Sequence, residues 1–217
     1  MGRGSVRKPD PSLDLSQHLW HMDRLPRPWD AAVVFPQPGP VEVDVGCGKG
    51  MFLLQAALEH PERNYLGIEK QYNFAAYSAA RVAKRGLPNA RVVFGDALWV
   101  FREVFSDQSL AAVHVYFPDP WWKKRHRKRR VMVEPFLRDV ERVLQSGGAL
   151  HFWTDVKDYF DETLELLAQV TRLQGPIPVA QRPARHDLDY HTNYERKARL
   201  QGKPVYRSLF LKPQEKA

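Results

Sequence analysis

Val41-Glu42-Val43-Asp44-Val45-Gly46-Cys47-Gly48-Lys49-Gly50 is the stretch that decides the fold. Valines alternating with acids run straight into a glycine turn, and Met51 to Glu59 then takes up helical spacing. A strand that enters a helix through glycines is the opening unit of a wound α/β sheet, because residues without Cβ let a ligand approach the main chain at the helix start. The spacing is G-x-G-x-G. The dinucleotide fingerprint G-x-G-x-x-G needs glycine or alanine where Met51 stands, so NAD is disfavoured.

The alternation continues outward from this stretch. Apolar runs at Asn64 to Ile68, Arg91 to Phe94, Ala111 to Phe117 and Ala149 to Trp153 are separated by segments of helical spacing at Tyr72 to Lys84, Glu134 to Leu144 and Lys157 to Val170. Strand and helix in turn predict a parallel sheet with helices on both faces. Gly147-Gly148 is read as ending the helix that precedes the strand from Ala149. Residues beyond Val170 turn Pro-rich and basic up to about Pro204, and Val205 to Leu211 reads as a last strand. Residues 1–38 are Pro- and Arg-rich without periodicity and read as an arm on a single domain of residues 39–217.

Composition narrows the class. The chain has 217 residues, 43% of them hydrophobic, ample for a sizeable core, and no run reaches the ~18 apolar residues a membrane span requires. Met1 to Pro11 is basic with no apolar core of a leader, so a cytoplasmic protein without a membrane partner is expected. Cys47 is the one cysteine, and no Cys/His set has zinc spacing; it reads as a small packing residue, and no metal is expected. Monomer and homodimer are equally compatible with the sequence.

Three acids stand at the carboxyl ends of successive strands: Asp44, Glu69 in Gly67-Ile68-Glu69, and Asp96 in Gly95-Asp96-Ala97. In an open α/β sheet those ends border the ligand crevice. A diphosphate would be repelled there. S-adenosyl-L-methionine fits: Glu69 for the ribose hydroxyls, Asp96 for the adenine amino group, Asp44 for the ammonium and sulfonium end.

Phe117-Pro118-Asp119-Pro120-Trp121-Trp122 follows the fourth strand and leads at once into Lys123-Lys124-Arg125-His126-Arg127-Lys128-Arg129-Arg130. These eight residues carry seven Lys/Arg, so of the net charge of +8 they supply +7 and leave +1 for the rest of the chain. So local a charge points to a polyanion-docking surface, with His126 as a phosphate contact. Trp121 and Trp122 have the chemistry to stack on an extruded base, with core packing the alternative.

The set Asp-Val-Gly-x-Gly-Lys-Gly, Gly-Ile-Glu, Gly-Asp-Ala, Phe-Pro-Asp-Pro-Trp-x-Lys-x-Arg-His-x-Lys-Arg-Arg, Thr-Asp and Thr-x-Tyr-Glu-x-Lys resembles the bacterial tRNA (guanine-N7-)-methyltransferase family, from about residue 40 to the C-terminus. The glycine motif is common to class I methyltransferases; the Phe-Pro-Asp-Pro-Trp motif with its basic run is far more specific. The resemblance implies a Rossmann-like class I methyltransferase fold, a mostly parallel sheet with a C-terminal antiparallel strand. It implies S-adenosyl-L-methionine as cofactor, held by Asp44, Gly46, Gly48, Gly50, Glu69, Asp96 and Asp119, and tRNA as partner, methylated at guanine N7 in the variable loop. It makes Lys123, Asp155, Thr192, Asn193, Tyr194 and Glu195 substrate contacts, and Arg125, His126, Arg127, Lys128, Arg129 and Arg130 the tRNA-binding patch. One departure is Asp44, where some relatives carry Glu.

The chemistry sets the roles. Guanine N7 holds an in-plane lone pair and no proton, so its methylation is a problem of positioning rather than of base catalysis. Pro118 and Pro120 fix the backbone around Asp119, which is read as the catalytic residue that orients guanine or the methionyl end. Asp155 or Glu195 would accept from guanine N1–H and the 2-amino group, with a helix N-cap the alternative for Asp155. Two other readings stay open. In one an exocyclic amino group is the acceptor, although the Pro before Asp119 and Trp121 after it do not match the Asn/Asp-Pro-Pro-Tyr/Phe turn of such enzymes. In the other the chain is an RNA-binding module without turnover, which would gain nothing from carboxylates in its crevice.

Overall fold

The computed structural model describes residues 6–121, 124–181, 183–184, 186 and 189–214. One eight-stranded sheet organises them, in the order β1-β4-β3-β2-β5-β6-β8-β7: β1 Leu19–His21, β2 Val41–Val45, β3 Asn64–Glu69, β4 Ala90–Phe94, β5 Leu110–Tyr116, β6 Leu144–Thr154, β7 Gln174–Pro178 and β8 Tyr206–Leu211. The first six are parallel, whereas β8 runs antiparallel to β6 and β7 antiparallel to β8. The helices are α1 Ala31–Val34, α2 Met51–Glu59, α3 Tyr72–Ala83, α4 Ala97–Glu103, α5 Glu134–Val143, α6 Lys157–Val170 and α7 Asn193–Leu200. The predicted wound α/β sheet is the observed one, and the four predicted helices agree with α2, α3, α5 and α6 to within one residue.

The core follows from the period of two along each strand. Val41, Val43 and Val45, Val113 and Val115, and Leu150 and Phe152 all fall on one face, where they pack against Phe101 of α4, Phe136, Leu137 and Val140 of α5 and Leu167 of α6. Burying each such side chain contributes roughly 1.5–3 kcal/mol. On the other face α2 and α3 cover mainly β3 and β4, through Leu53, Ala57, Ala75, Ala79, Val82 and Val92, and Phe52 of α2 reaches across to β5. The alternate residues of β2, β5, β6 and β8 there are Glu42, Asp44, His114, Tyr116, His151, Trp153 and Arg207. That half of the face is polar and aromatic, and it builds the site.

Three expectations change. Residues 6–38 do pack onto the sheet, but they also give it the edge strand β1 and bury Trp20, Leu25, Val34 and Phe35, which a three-residue strand is too short to announce by periodicity. Gly147-Gly148 does not end a helix: α5 stops at Val143, Leu144 is already extended, and Gly147, at φ 75°, sits where the β5–β6 register jumps from Leu110↔Leu144 to Ala112↔Ala149. The glycines serve a β-bulge, which needs the left-handed conformation. The Pro-rich, basic segment between Val170 and Pro204, where no element is predicted, contains β7 and α7. Among the described residues no helix is long and apolar enough to cross a membrane.

Candidate active site

The turn from β2 into α2 forms the floor of the site. Gly50 caps α2 at φ 65°, and a Cβ there would lie 1.9 Å from the Ser78 hydroxyl of α3, so both conformation and space demand glycine. The Gly46 and Cys47 amides donate to the Ile68 carbonyl, which ties the turn to the end of β3. Glu69, closing β3, is only 1% exposed; its carboxylate accepts from the Gly48 amide at 3.0 Å and from the Gln71 amide at 2.9 Å. Cys47 is buried among Leu53, Ala56 and Tyr65, as a packing residue should be.

Above this floor opens a cleft of about 330 Å³, lined by Asp44, Gly46, Gly48, Met51, Phe52, Phe74, Tyr116 and Phe117 and roofed by Thr192, Asn193 and Tyr194. Asp44 is 5% exposed, and burial, then the charge of Glu69, pushes its carboxyl up to about 8. A carboxylate so placed is ionised at neutral pH only when a cation joins it. Lys49, Arg196 and Lys197 also line the cleft, so among the described residues Asp44 is its one acidic lining residue, set with basic ones, a mixed lining suited to a ligand that carries charges of both signs.

Asp96 lies further along the same strand ends. One carboxylate oxygen accepts from the Leu98 amide and caps α4, and the other meets the Lys70 ammonium at 2.6 Å; partial burial raises its pKa, but Lys70 and the helix amides outweigh this and hold it below the usual range. Asp96 is thus both an N-cap and a rim acid.

Asp119 is exposed, two residues after the cleft-lining Phe117, and is not itself among the described residues that line the cleft. Its turn is held by backbone of unusual shape: Phe117 has φ 50° and Trp121 φ 43°, and the Phe117 amide donates to the Trp153 carbonyl at 2.8 Å. Non-glycine residues at positive φ flanking an exposed acid are characteristic of functional turns. Trp122 and Lys123 lie outside the described residues. The basic run continues as a 3-10 helix, Lys124–Arg129, with the Arg129 guanidinium 5.1 Å over the Trp121 ring and His126 edge-on to it. Arg125 is exposed, while nothing is described of the Arg127 and Lys128 side chains.

Arg130 departs from its expected role. It is buried, donates to the Pro120 carbonyl at 2.7 Å and to Glu162 of α6, and lies 4.4 Å over the Tyr159 ring. It anchors the Asp119 turn to α6 through its Nε and one Nη, and its burial sets it apart from the exposed Arg125 and Arg129. Asp155 is exposed after β6, and the N-cap reading fails: Val156 is the cap residue of α6, with the Thr154 hydroxyl accepting from the Val156 amide.

The Thr192–Glu195 segment is the start of α7 rather than a loop. Thr192 caps the helix by accepting from the Glu195 amide at 2.9 Å, and the Glu195 carboxylate reaches back to the His191 amide at 2.8 Å. Thr-x-x-Glu is a capping-box pattern, the signal that would have found this helix. Glu195 is 3% exposed and also binds Arg207 at 2.8 Å and Arg199 at 3.3 Å. Its carboxylate is turned inward to hold α7 in place, whereas the exposed Asn193 and Tyr194 line the cleft, Tyr194 stacking on Phe117.

Periodicity gave no sign of the second cavity, about 470 Å³, that shares Phe52 and Tyr116 with the cleft and takes in Glu42, His114, His151, Trp153 and His191. Histidines scattered in sequence meet there because strand register places His151 opposite His114. Among the described residues no group of His, Cys, Asp or Glu is placed to hold a metal ion.

A family profile described as putative methyltransferase matches residues 38–208. The chain is 47% identical over 98% of its length, and 80% of the relative's, to a tRNA (guanine-N(7)-)-methyltransferase of Rhodopirellula baltica. It is 36% identical over 88% of its length and 82% of the relative's to the protein of that name in Syntrophotalea carbinolica. Among solved structures, the 16S rRNA methyltransferase KamB superposes with a TM-score of 0.63 at 17% identity, covering 89% of this chain and 98% of that one. A SAM-dependent methyltransferase from Aquifex aeolicus gives 0.56 at 15%, covering 81% and 84%. At these identities the solved structures speak for the fold alone.

Proposed function

The chain belongs to the tRNA (guanine-N(7)-)-methyltransferase family, and on that premise we propose that it transfers a methyl group from S-adenosyl-L-methionine to N7 of a guanine in the tRNA variable loop. One observation carries the reading for this chain. The cleft that holds the buried Asp44 is lined by Phe117, and the basic helix begins at Lys124, so the pocket for a cationic donor and the grip for a polyanion lie seven residues apart in the chain. Residues 39–217 act as the methyltransferase domain with residues 1–38 as its arm, in the cytoplasm where tRNA is found.

The residues present fit the cofactor. Asp44 supplies the buried anion for its ammonium and sulfonium end, Glu69 the acceptor for its ribose, and Asp96, already held by Lys70, the polar edge for its adenine. When bound, S-adenosyl-L-methionine supplies an electrophilic methyl carbon. Guanine N7 carries no proton, so no residue need remove one, and Asp119 acts by orienting the base. Asn193 and Tyr194 line the cleft, and Asp155 and Lys123 are assigned to the substrate by the family motif. Arg125, His126, Arg127, Lys128 and Arg129 hold phosphates; Arg130 holds the turn.

Nucleoside mass spectrometry of tRNA incubated with the protein and labelled S-adenosyl-L-methionine tests the reaction, with labelled 7-methylguanosine as the expected product. A second arm replaces the target guanine by 7-deazaguanine, which keeps the Watson–Crick edge but carries C–H in place of N7. That tRNA should bind and accept no methyl; methylation at the normal rate would move the acceptor to another atom.

A further inference from the structure

The polar half of the sheet face holds a chain of buried contacts that leads from the surface to the cofactor cleft. Arg63 donates to one oxygen of Glu42, the other Glu42 oxygen lies 2.8 Å from His114 Nε2, and His114 Nδ1 lies 2.9 Å from the Tyr116 hydroxyl. His114 is 4% exposed and Glu42 6%. The imidazole is also fixed on its faces: Phe52 packs on it with ring centroids 4.4 Å apart, and His151 stacks at 4.7 Å with 19° between planes. Every edge and face of that ring is thus determined.

The tautomer follows from the acceptor. Burial pushes the Glu42 carboxyl up, but hydrogen bonds and charges from His114 and Arg63 outweigh this and hold it down at about 2, so it is a carboxylate and accepts only. Nε2 therefore carries a proton; in a neutral imidazole Nδ1 accepts the Tyr116 O–H, and in an imidazolium Nδ1–H donates to the phenol oxygen, so the ring is tied to Tyr116 in either state. Tyr116, with Asp44, lines the cleft, and its phenol is kept neutral by burial, which pushes its pKa well up.

A buried ion-paired chain is poor value as packing, since apolar residues of similar volume usually do as well or better. The same strand shows this: Val113 and Val115, on the opposite face, fill their space with aliphatic side chains. We infer that His114 is a positioning residue of the methyl-transfer site, clamped between Glu42 and Phe52 so that it fixes the Tyr116 ring as the wall of the cleft beside Asp44. A neutral aromatic wall next to a carboxylate suits a sulfonium, which is drawn to the ring face and would be repelled by an O–H turned toward it. The inference rests on the cofactor reading above.

Two substitutions separate the links. Asparagine places its amide oxygen near the position of Nδ1, so His114→Asn keeps an acceptor for Tyr116 and loses Glu42. Glutamine places its amide nitrogen near Nε2, so His114→Gln keeps a donor for Glu42 and loses Tyr116. Calorimetric titration with S-adenosyl-L-methionine should give roughly three- to tenfold weaker binding for Tyr116→Phe and for His114→Gln. The double variant should be no weaker than either single, His114→Asn should bind nearly as the wild type does, and the KM for tRNA should stay unmoved in all. Equal loss of thermal stability in both His114 variants with unchanged cofactor affinity would overturn the inference, as would a double variant that loses the sum. A wild-type chain that bound no S-adenosyl-L-methionine would instead sink the cofactor reading, and the inference with it.

Discussion

Asp44 concentrates the electrostatics of the site in one residue. Its carboxyl, at about 8, is protonated at neutral pH in the free protein, and a cationic ligand favours the ionised form. Cofactor binding should therefore release a proton below pH 8, and affinity should rise with pH up to that value, approaching tenfold per unit. Calorimetry in buffers of different ionisation enthalpy reads the proton directly. Asp44→Asn should bind more weakly and lose this release; the ligand's own ammonium titrates in both proteins, so the difference between them belongs to Asp44, and equal release would refute the assignment. The exposed Asp119 is expected to behave differently. Asp119→Ala should lower turnover far more than affinity for either substrate, because an orienting contact matters most in the transition state. A folded variant with near-normal single-turnover rates would remove Asp119 from the centre.

At the scale of elements, the basic helix and α7 divide labour in a way that charge alone does not reveal. Neutralising Arg125, Arg127, Lys128 and Arg129 together should weaken tRNA binding and reduce the slope of log K against log salt by about 3 to 4, if each neutralises a phosphate. Arg130→Ala should instead lower stability, because it removes the partner of the Pro120 carbonyl and of Glu162. Urea unfolding separates the two: a stable Arg130 variant with a flattened salt slope would return Arg130 to the phosphate patch. For α7, Thr192→Ala removes the N-cap and should cost about 1 kcal/mol. Thr192 and Glu195 were legible in sequence as a motif, but not their division of roles, since a capping-box acid and a substrate-reading acid have the same spelling.

Across the whole molecule, the polar sheet face makes stability depend on acid. Burial, then the neighbouring His114, holds His151 down at about 3, so the folded state resists a proton that the unfolded chain accepts from about pH 6.5; stability is lost as pH falls through that window. Glu42, depressed to about 2, adds a further loss from about pH 4.5 downward. Asp44, held up at about 8, works in the opposite direction over the same range, so the readout is the difference between proteins: in denaturant titrations from pH 8 to 4 the wild type should lose stability relative to His151→Asn as pH falls below 6.5, and parallel curves for the two would contradict it. The β-strand from Val41 to Val45, the glycine turn and the strand-end acids Asp44, Glu69 and Asp96 could all be read from the chain, because alternation of burial has a period of two and local turn chemistry is spelled by local residues. So could the helices α2, α3, α5 and α6, each long enough to carry its own period. The burial of Arg130 and Glu195, the bulge at Gly147 and the meeting of Glu42, His114, Tyr116 and His151 were decided only by tertiary structure. Those depend on which strands pair and in which register, and register joins residues as distant in sequence as Glu42 and His114 through contacts that no local pattern encodes.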